Sequence, residues 1–291
     1  MSSVETCDGL LRERLSNREF QWICRTVYDR AGIDLKEKKI LVEARLSKQL
    51  RELKLPSFKG LLDHVEHDYT GGAFTSMLDA LTTNHTTFFR ENQHFDLLRK
   101  LADGEFRSRA NLRIWSAACS SGEEPYSIAF TLADAFGEEA RSKVSILATD
   151  ISTKVLKIAE KGIYPEGKFQ GLPVEQMRRH LLKGVGATKG SYLIKPSTKS
   201  LVRFEQLNLM ENCSHLGLFS AIFCRNVMIY FDRSTQEALV NRLSARLCPG
   251  GYLFIGHAES LSGIRHSLKY IMPAVYKNGD VRSHPIRGEE R

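Results

Sequence analysis

From residue 111 onward, short β-prone runs alternate with longer helical windows, and that alternation predicts a parallel sheet built from βαβ units. The runs are Leu112 to Ala117, Ser145 to Asp150, Val202 to Leu207, Ala221 to Arg225 and Gly251 to Gly256, and the helical windows are Pro125 to Phe136, Thr153 to Lys161 and Thr235 to Leu247. One stretch, about 174–200, breaks the rhythm. It carries Gly184, Gly186 and Gly190 and then Ser191 to Lys195 in β-like composition, and reads as a hairpin-bearing insertion. The sequence thus predicts an α/β domain over 111–277. The polar residues from Lys277 onward predict a frayed end, with a tail over 278–291.

The N-terminal part has a different texture. Phe20, Ile23, Cys24, Val27 and Tyr28 recur at helical spacing, and Gly32 stands where a helix would stop. A second helix fits Glu37 to Leu53, with Ile40, Leu41, Ala44 and Leu50 as its apolar stripe and Lys38, Arg45, Lys48 and Arg51 as a basic one. Pro56 closes it; Phe58 to Val65 and, after Gly71-Gly72, Phe74 to Leu81 complete a small all-α domain over 1–81. Residues 82–110 are expected to be a linker and a segment that covers a site.

Hydrophobic residues at 42% and charged residues at 26% exclude a disordered chain, and a net charge of +8 suits an acidic partner. Glu5, Asp8, Arg12, Glu13 and Arg14 leave no room for a secretory apolar region, and no apolar run approaches the roughly 20 residues of a membrane span. A soluble, cytoplasmic protein is expected. Six cysteines (Cys7, Cys24, Cys119, Cys213, Cys224, Cys248) form no C-x-x-C pair and have no histidine at ligand spacing, so free thiols and no metal are expected.

In open parallel sheets, ligands bind beyond the carboxyl ends of the strands. The first run ends in Ala117 to Tyr126, a small-residue turn with Gly122 as its only glycine and with Glu123 and Glu124 at the helix entrance. That is no G-x-G-x-x-G cradle, and the acidic pair disfavours a phosphate, which points to a phosphate-free nucleoside. Glu124 suits an ammonium group. Asp150, ending the second run, can accept both hydroxyls of a ribose or cap the helix that begins near Ser152. Asn208 can read an adenine edge or form a turn. Arg225, Asn226 and Tyr230 follow the fourth run at the mouth of the site. Between the two domains, Asn84 to Arg90 offers two adjacent phenylalanines and a guanidinium, the make-up of a segment folded over a site.

Together, TTNHTTFFR, SAACSSGEEPYSIA, ATDIS, QLNL and IFCRNVMIYF, in this order and spacing, resemble the S-adenosylmethionine-dependent methyltransferases that esterify glutamates on bacterial chemotaxis receptors. The resemblance covers nearly the whole chain. It implies a Rossmann-like class I methyltransferase domain with a small β-subdomain, preceded by the all-α domain, and S-adenosylmethionine as cofactor with no metal. It further implies that Asn84, Thr86, Arg90, Glu124, Asp150, Asn208, Leu209, Arg225 and Asn226 line the cofactor pocket, with Arg90 and Tyr230 positioning the reacting groups. In the family, the helical domain offers a positive surface to the receptor's acidic helical bundle, for which Arg45, Lys48 and Arg51 are the candidates. Some members also capture a receptor tail peptide by strand addition. Here Gly184, Gly186, Gly190, Leu193 and Lys195 would serve, with the free edge around Ser191 to Lys195, although Leu193 stands near where an arginine is expected and Lys195 is its substitute. Two other readings share these residues. Methyl transfer to RNA or a small molecule lacks the aromatic-interleaved basic stretch that stacks unpaired bases, and a non-catalytic cofactor sensor is disfavoured by the full set of polar strand-end residues. The resemblance therefore implies neither nucleic acid nor direct membrane insertion among the partners.

Overall fold

The structure, a computed structural model, describes residues 14–279. Cys7, Glu5, Asp8, Arg12, Glu13 and the tail beyond 279 lie outside the described residues. The chain divides into two compact units, 1–83 and 84–291.

In the first unit, α1 (Asn17–Ala31) starts at a capping box. Ser16 Oγ accepts the Glu19 N–H while the Glu19 carboxylate accepts the Ser16 N–H, and Gly32 at φ 72° ends the helix. It is followed by α2 (Lys39–Leu53), α3 (Phe58–His67), capped by Ser57, and α4 (Gly72–Leu81). The stripe expected on α2 has the wrong phase. Val42, Leu46, Gln49 and Leu50 are the buried residues, whereas Ile40 is 88% exposed and Leu41 and Ala44 also face outward. Gln49 joins the packed face because its amide donates to Ser76 Oγ of α4 at 3.0 Å. An exposed Ile40-Leu41 pair and a buried Gln49 read, from composition alone, as the opposite face.

The second unit runs α5 (Gln93–Asp103), β1 (Leu112–Ala117), α6 (Glu123–Phe136), α7 (Ala140–Lys143), β2 (Val144–Asp150), α8 (Thr153–Lys161), β3 (Ile163–Pro165), α9 (Val174–His180), β4 (Leu181–Lys183) and β5 (Ser191–Ile194). It continues with α10 (Pro196–Lys199), β6 (Val202–Gln206), β7 (Phe219–Cys224), α11 (Arg233–Ser244), β8 (Leu247–Ile255), β9 (Lys269–Met272) and β10 (Val275–Lys277). The main sheet has the order β6-β2-β1-β7-β8-β10-β9. Its first five strands pair in parallel, and β10 runs antiparallel to both β8 and β9. This is the Rossmann-like class I methyltransferase arrangement. Its core stacks Phe223 on Phe254 at 4.2 Å and buries Ile114, Ile146 and Leu98 completely.

Several expectations need correction. Residues 93–103, within the stretch expected as linker and cover, form α5, which buries Phe95, Leu98, Leu101 and Ala102. The pair β9 and β10 was not foreseen, because β9 is an edge strand with exposed Lys269, Tyr270 and Ile271 and reads as neither an apolar nor an alternating run. Lys277 is not frayed. It ends β10 and pairs with Glu105 at 2.9 Å. The insertion begins at β3 rather than near 174 and forms a three-stranded antiparallel sheet of order β3-β5-β4. Ser191–Ile194 is therefore the central strand, paired on both sides, and the free edges belong to β3 and β4. Among the described residues no helix is long and apolar enough to cross a membrane, and Cys24, Cys119, Cys213, Cys224 and Cys248 are free thiols.

Candidate functional site

The carboxyl ends of β6, β2, β1, β7 and β8 share one edge of the second unit. After β1 the chain turns through left-handed Ala118, Ser120 and Gly122. A Cβ on Gly122, at φ 97°, would lie 2.7 Å from both Ala159 Cβ of α8 and the Tyr164 hydroxyl. Only glycine lets α6 begin this close to α8. Gly122→Ala combines backbone strain with overpacking and is expected to cost about 2–4 kcal/mol, read as a lowered Tm in scanning calorimetry.

At the last position of β2, buried Asp150 accepts the Ser120 N–H on Oδ2 at 2.8 Å and the Ser152 N–H on Oδ1 at 3.0 Å. The cap of α8 is not Asp150 but Ser152, whose Oγ accepts the Val155 N–H.

Glu124, in the first turn of α6, accepts from Ser116 Oγ at 2.6 Å and from Arg225 Nη1 at 3.0 Å. Arg225 Nη2 donates to Glu91 at 2.8 Å and to the Arg90 carbonyl. Arg225 thus lies buried between two carboxylates rather than at the mouth of the site. Its Nε has no partner among the described residues. Burial would push the Glu91 carboxyl up, but the hydrogen bond and charge of Arg225, the His257 N–H and the Asn226 amide hold it below its ordinary value. Glu123 is likewise paired, with Lys168 Nζ at 2.8 Å. The acidic entrance is therefore largely neutralised by the protein's own cations, and phosphate repulsion there is weaker than its sequence implies.

The segment from Asn84 to Glu91 is tied down along its length. Ser120 Oγ donates to the Asn84 carbonyl, Lys168 Nζ to the Thr86 carbonyl, and the Phe89 N–H to Ser127 Oγ. Phe88 is buried among Phe130, Tyr164 and Phe169, with ring centroids 5.9, 5.1 and 4.6 Å away. Phe89 and Glu91 are both left-handed, at φ 52° and 56°. The Arg90 guanidinium donates to the His85 carbonyl at 3.0 Å.

Beyond β6, Asn208 Oδ1 accepts the Met210 N–H at 3.0 Å, the turn-forming role, and Leu209 is buried with its carbonyl bonded to Arg242. Beyond β7, Asn226 is left-handed at φ 57°, and half-buried Tyr230 closes a single 3-10 turn. Beyond β8 comes a residue the sequence reading missed. Glu259 accepts the N–H groups of Asn226 (3.0 Å) and Gly256 (2.6 Å) on Oε2, and of Met228 (2.7 Å) and Ile229 (3.3 Å) on Oε1. Glu91 was missed as well. Both had a signal, since Glu91 adjoins Arg90 and Glu259 follows the fifth strand. Glu91, His94 and His257 offer ligand atoms within 4.8 Å of one another. The Glu91 oxygens, however, already receive Arg225, Asn226 and His257 donors, and the adjacent guanidinium opposes a cation.

In the first unit, Lys48 and Arg51 are exposed, with Lys48 3.8 Å from Glu52. Arg45 is not presented outward in the same way, because its guanidinium bonds the Leu81 carbonyl and, at 2.6 Å, Thr83 Oγ1. In the insertion, Gly186 and Gly190 are left-handed, and a Cβ on Gly184 would lie 2.1 Å from the Thr188 carbonyl oxygen. Leu193 is half-buried in the central strand, and Lys195 is turned onto the Arg178 carbonyl.

Residues 84–276 match the family described as CheR methyltransferase, SAM binding domain, and residues 18–82 match CheR methyltransferase, all-alpha domain. The chain is 42% identical over 263 residues to chemotaxis protein methyltransferase 2 of Pseudomonas aeruginosa, covering 90% of this chain and 93% of that protein. It is 42% identical over 255 residues to the chemotaxis protein methyltransferase of Salmonella typhimurium, covering 87% of each. To that of Klebsiella aerogenes it is 45% identical over 253 residues, covering 86% of each.

Proposed function

This chain belongs to the CheR methyltransferase family, and on that premise we propose that it transfers the methyl group of S-adenosylmethionine to glutamate side chains of chemotaxis receptors during sensory adaptation. The observation that carries this reading is the strand-end constellation of Asp150, Glu124, Arg225 and Asn226 under the Asn84 to Arg90 segment, in a chain matched to the family over both domains. When bound, the cofactor supplies a sulfonium methyl; a new carbon–oxygen bond forms on the substrate carboxylate as the carbon–sulfur bond breaks, leaving a γ-methyl ester and S-adenosylhomocysteine.

The nucleophile belongs to the substrate. A glutamate of ordinary pKa, about 4.3, is already ionised at neutral pH, so no general base is required. What the protein contributes is alignment and exclusion of water. Asp150 holds the ribose hydroxyls, Asn208 and Leu209 line the base, and Glu124, Arg225, Asn84, Thr86 and Asn226 shape the amino-acid end. Arg90 holds a carboxylate and Tyr230 orients the reacting groups through its hydroxyl; Arg90→Ala that kept full transfer and unchanged cofactor affinity would remove the first of these roles. The test of the reaction is incubation with labelled S-adenosylmethionine and receptor-bearing membranes, followed by mild alkali. Label released as methanol supports a carboxyl ester, whereas alkali-stable label on RNA or protein nitrogen refutes it.

For the receptor surface, Lys48 and Arg51 on the outward face of α2 are the better candidates, and Arg45 is assigned to holding α2 against the end of α4. Lys48→Glu with Arg51→Glu is expected to slow receptor methylation about tenfold at low ionic strength and to flatten its salt dependence. Calorimetric affinity for S-adenosylhomocysteine should not change. If the small sheet captures a receptor tail, the added strand pairs with β3 or β4, since β5 has no open edge. Titration calorimetry with tail peptides reads this directly.

A further inference from the structure

Four backbone N–H groups converge on one point beside the site, three from the turn after β7 and one from the end of β8. The turn needs help to hold its shape. Asn226 is in the left-handed region without being glycine, and a Cβ on Gly256 would lie 2.4 Å from Asn226 Nδ2, so the two strand ends touch without slack. Converging amides repel one another and form an anion-binding concavity. The group that fills it is the carboxylate of Glu259, which bonds two amides with each oxygen and is drawn up to them by its own N–H on the Gly256 carbonyl.

We propose that Glu259 is a positioning residue for methyl transfer, setting the backbone of residues 226–230 so that Asn226 and Tyr230 stand in register with the reacting groups. The inference rests on the proposed reaction for its kinetic readout and stands on the hydrogen bonds for its structural one. It also assigns the nest a second consequence. Because the substrate is itself a carboxylate, a nest left open would compete for it, and Glu259 keeps the nest occupied from within.

Glu259 differs from the two carboxylates paired with Arg225. Glu91 and Glu124 face a guanidinium, whereas Glu259 is bound by uncharged amides, so burial dominates and pushes its carboxyl up despite four donors.

The test compares Glu259→Gln and Glu259→Ala with the parent enzyme. In Glu259→Gln one oxygen becomes an NH2 group, which confronts two N–H donors while size is kept. The expected result is kcat for receptor methylation reduced at least tenfold in both variants, with KM for S-adenosylmethionine within twofold of the parent. Acetate should restore part of the rate to Glu259→Ala but not to Glu259→Gln, whose nest is still filled. Hydrogen exchange read on the peptide spanning 226–230 needs no substrate and should lose protection in both variants. Retained protection and kcat within twofold would overturn the proposal, as would a loss confined to KM. If the parent enzyme itself forms no alkali-labile ester on receptors, the proposed reaction fails, and the exchange measurement alone decides for or against the grip of Glu259 on the turn.

Discussion

Arg225→Met is expected to destabilise the protein by about 3–5 kcal/mol, a fall in Tm of roughly 6–20 °C, because it leaves two largely buried carboxylates facing each other without their cation. The pH dependence separates this cause from simple loss of packing. In the parent, Glu91 is held below its ordinary pKa. Its contribution to stability is therefore complete above the unfolded value of about 4.3 and is lost as the pH falls through the folded value. In Arg225→Met the burial of Glu91 and its repulsion by a second carboxylate remain while the compensation is gone, so the Glu91 carboxyl rises above its unfolded value. A raised carboxyl has the opposite sign, and the variant gains stability as the pH falls from 7.5 toward 5.5. Urea midpoints at these two pH values should show the gap between variant and parent narrowing at the lower one. A gap that stayed constant would mean that the two carboxylates carry none of the cost.

The largest effect on ligand affinity is expected at Asp150. Two charge-assisted hydrogen bonds to a ribose are worth about 3–6 kcal/mol together, so Asp150→Ala should weaken S-adenosylhomocysteine by a hundredfold or more in titration calorimetry. The same substitution frees the Ser120 and Ser152 amides, which would disturb the turn whether or not a ribose is bound. A 3′-deoxyribose analogue resolves the ambiguity. It should bind the parent more weakly than the natural compound does and should lose little further affinity on Asp150→Ala. An equal further loss would place Asp150 in a structural role only.

The elements legible in the sequence were those with local causes. The stop at Gly32 and the window Thr153 to Lys161 depend on short-range hydrogen bonds and helical spacing, and each is found where that chemistry puts it. Four of the five parallel strands were legible because burial on both faces makes them nearly continuous apolar runs, whereas β6, at the sheet edge, alternates apolar and polar residues. What depends on partners far along the chain was not. The phase of α2 turned on Gln49 reaching Ser76, the position of β5 on neighbours that flank it from both sides, and the antiparallel end of the sheet on a half-exposed edge. The candidate site divides in the same way. Asp150, Glu124, Arg225 and Asn226 announce themselves by following strands, but that Arg225 is buried between Glu91 and Glu124, or that Lys195 is turned onto Arg178, follows only from tertiary packing.

Lys168 and Phe169 come from the insertion, yet one grips Glu123 and the Thr86 carbonyl and the other packs on the Phe88 ring. The small sheet is consequently a keystone rather than an ornament. A shortened chain that ran from α8 straight into β6 would lose, together with the hairpin, the Lys168 and Phe169 contacts that hold the Thr86 to Phe88 stretch and Glu123 in place.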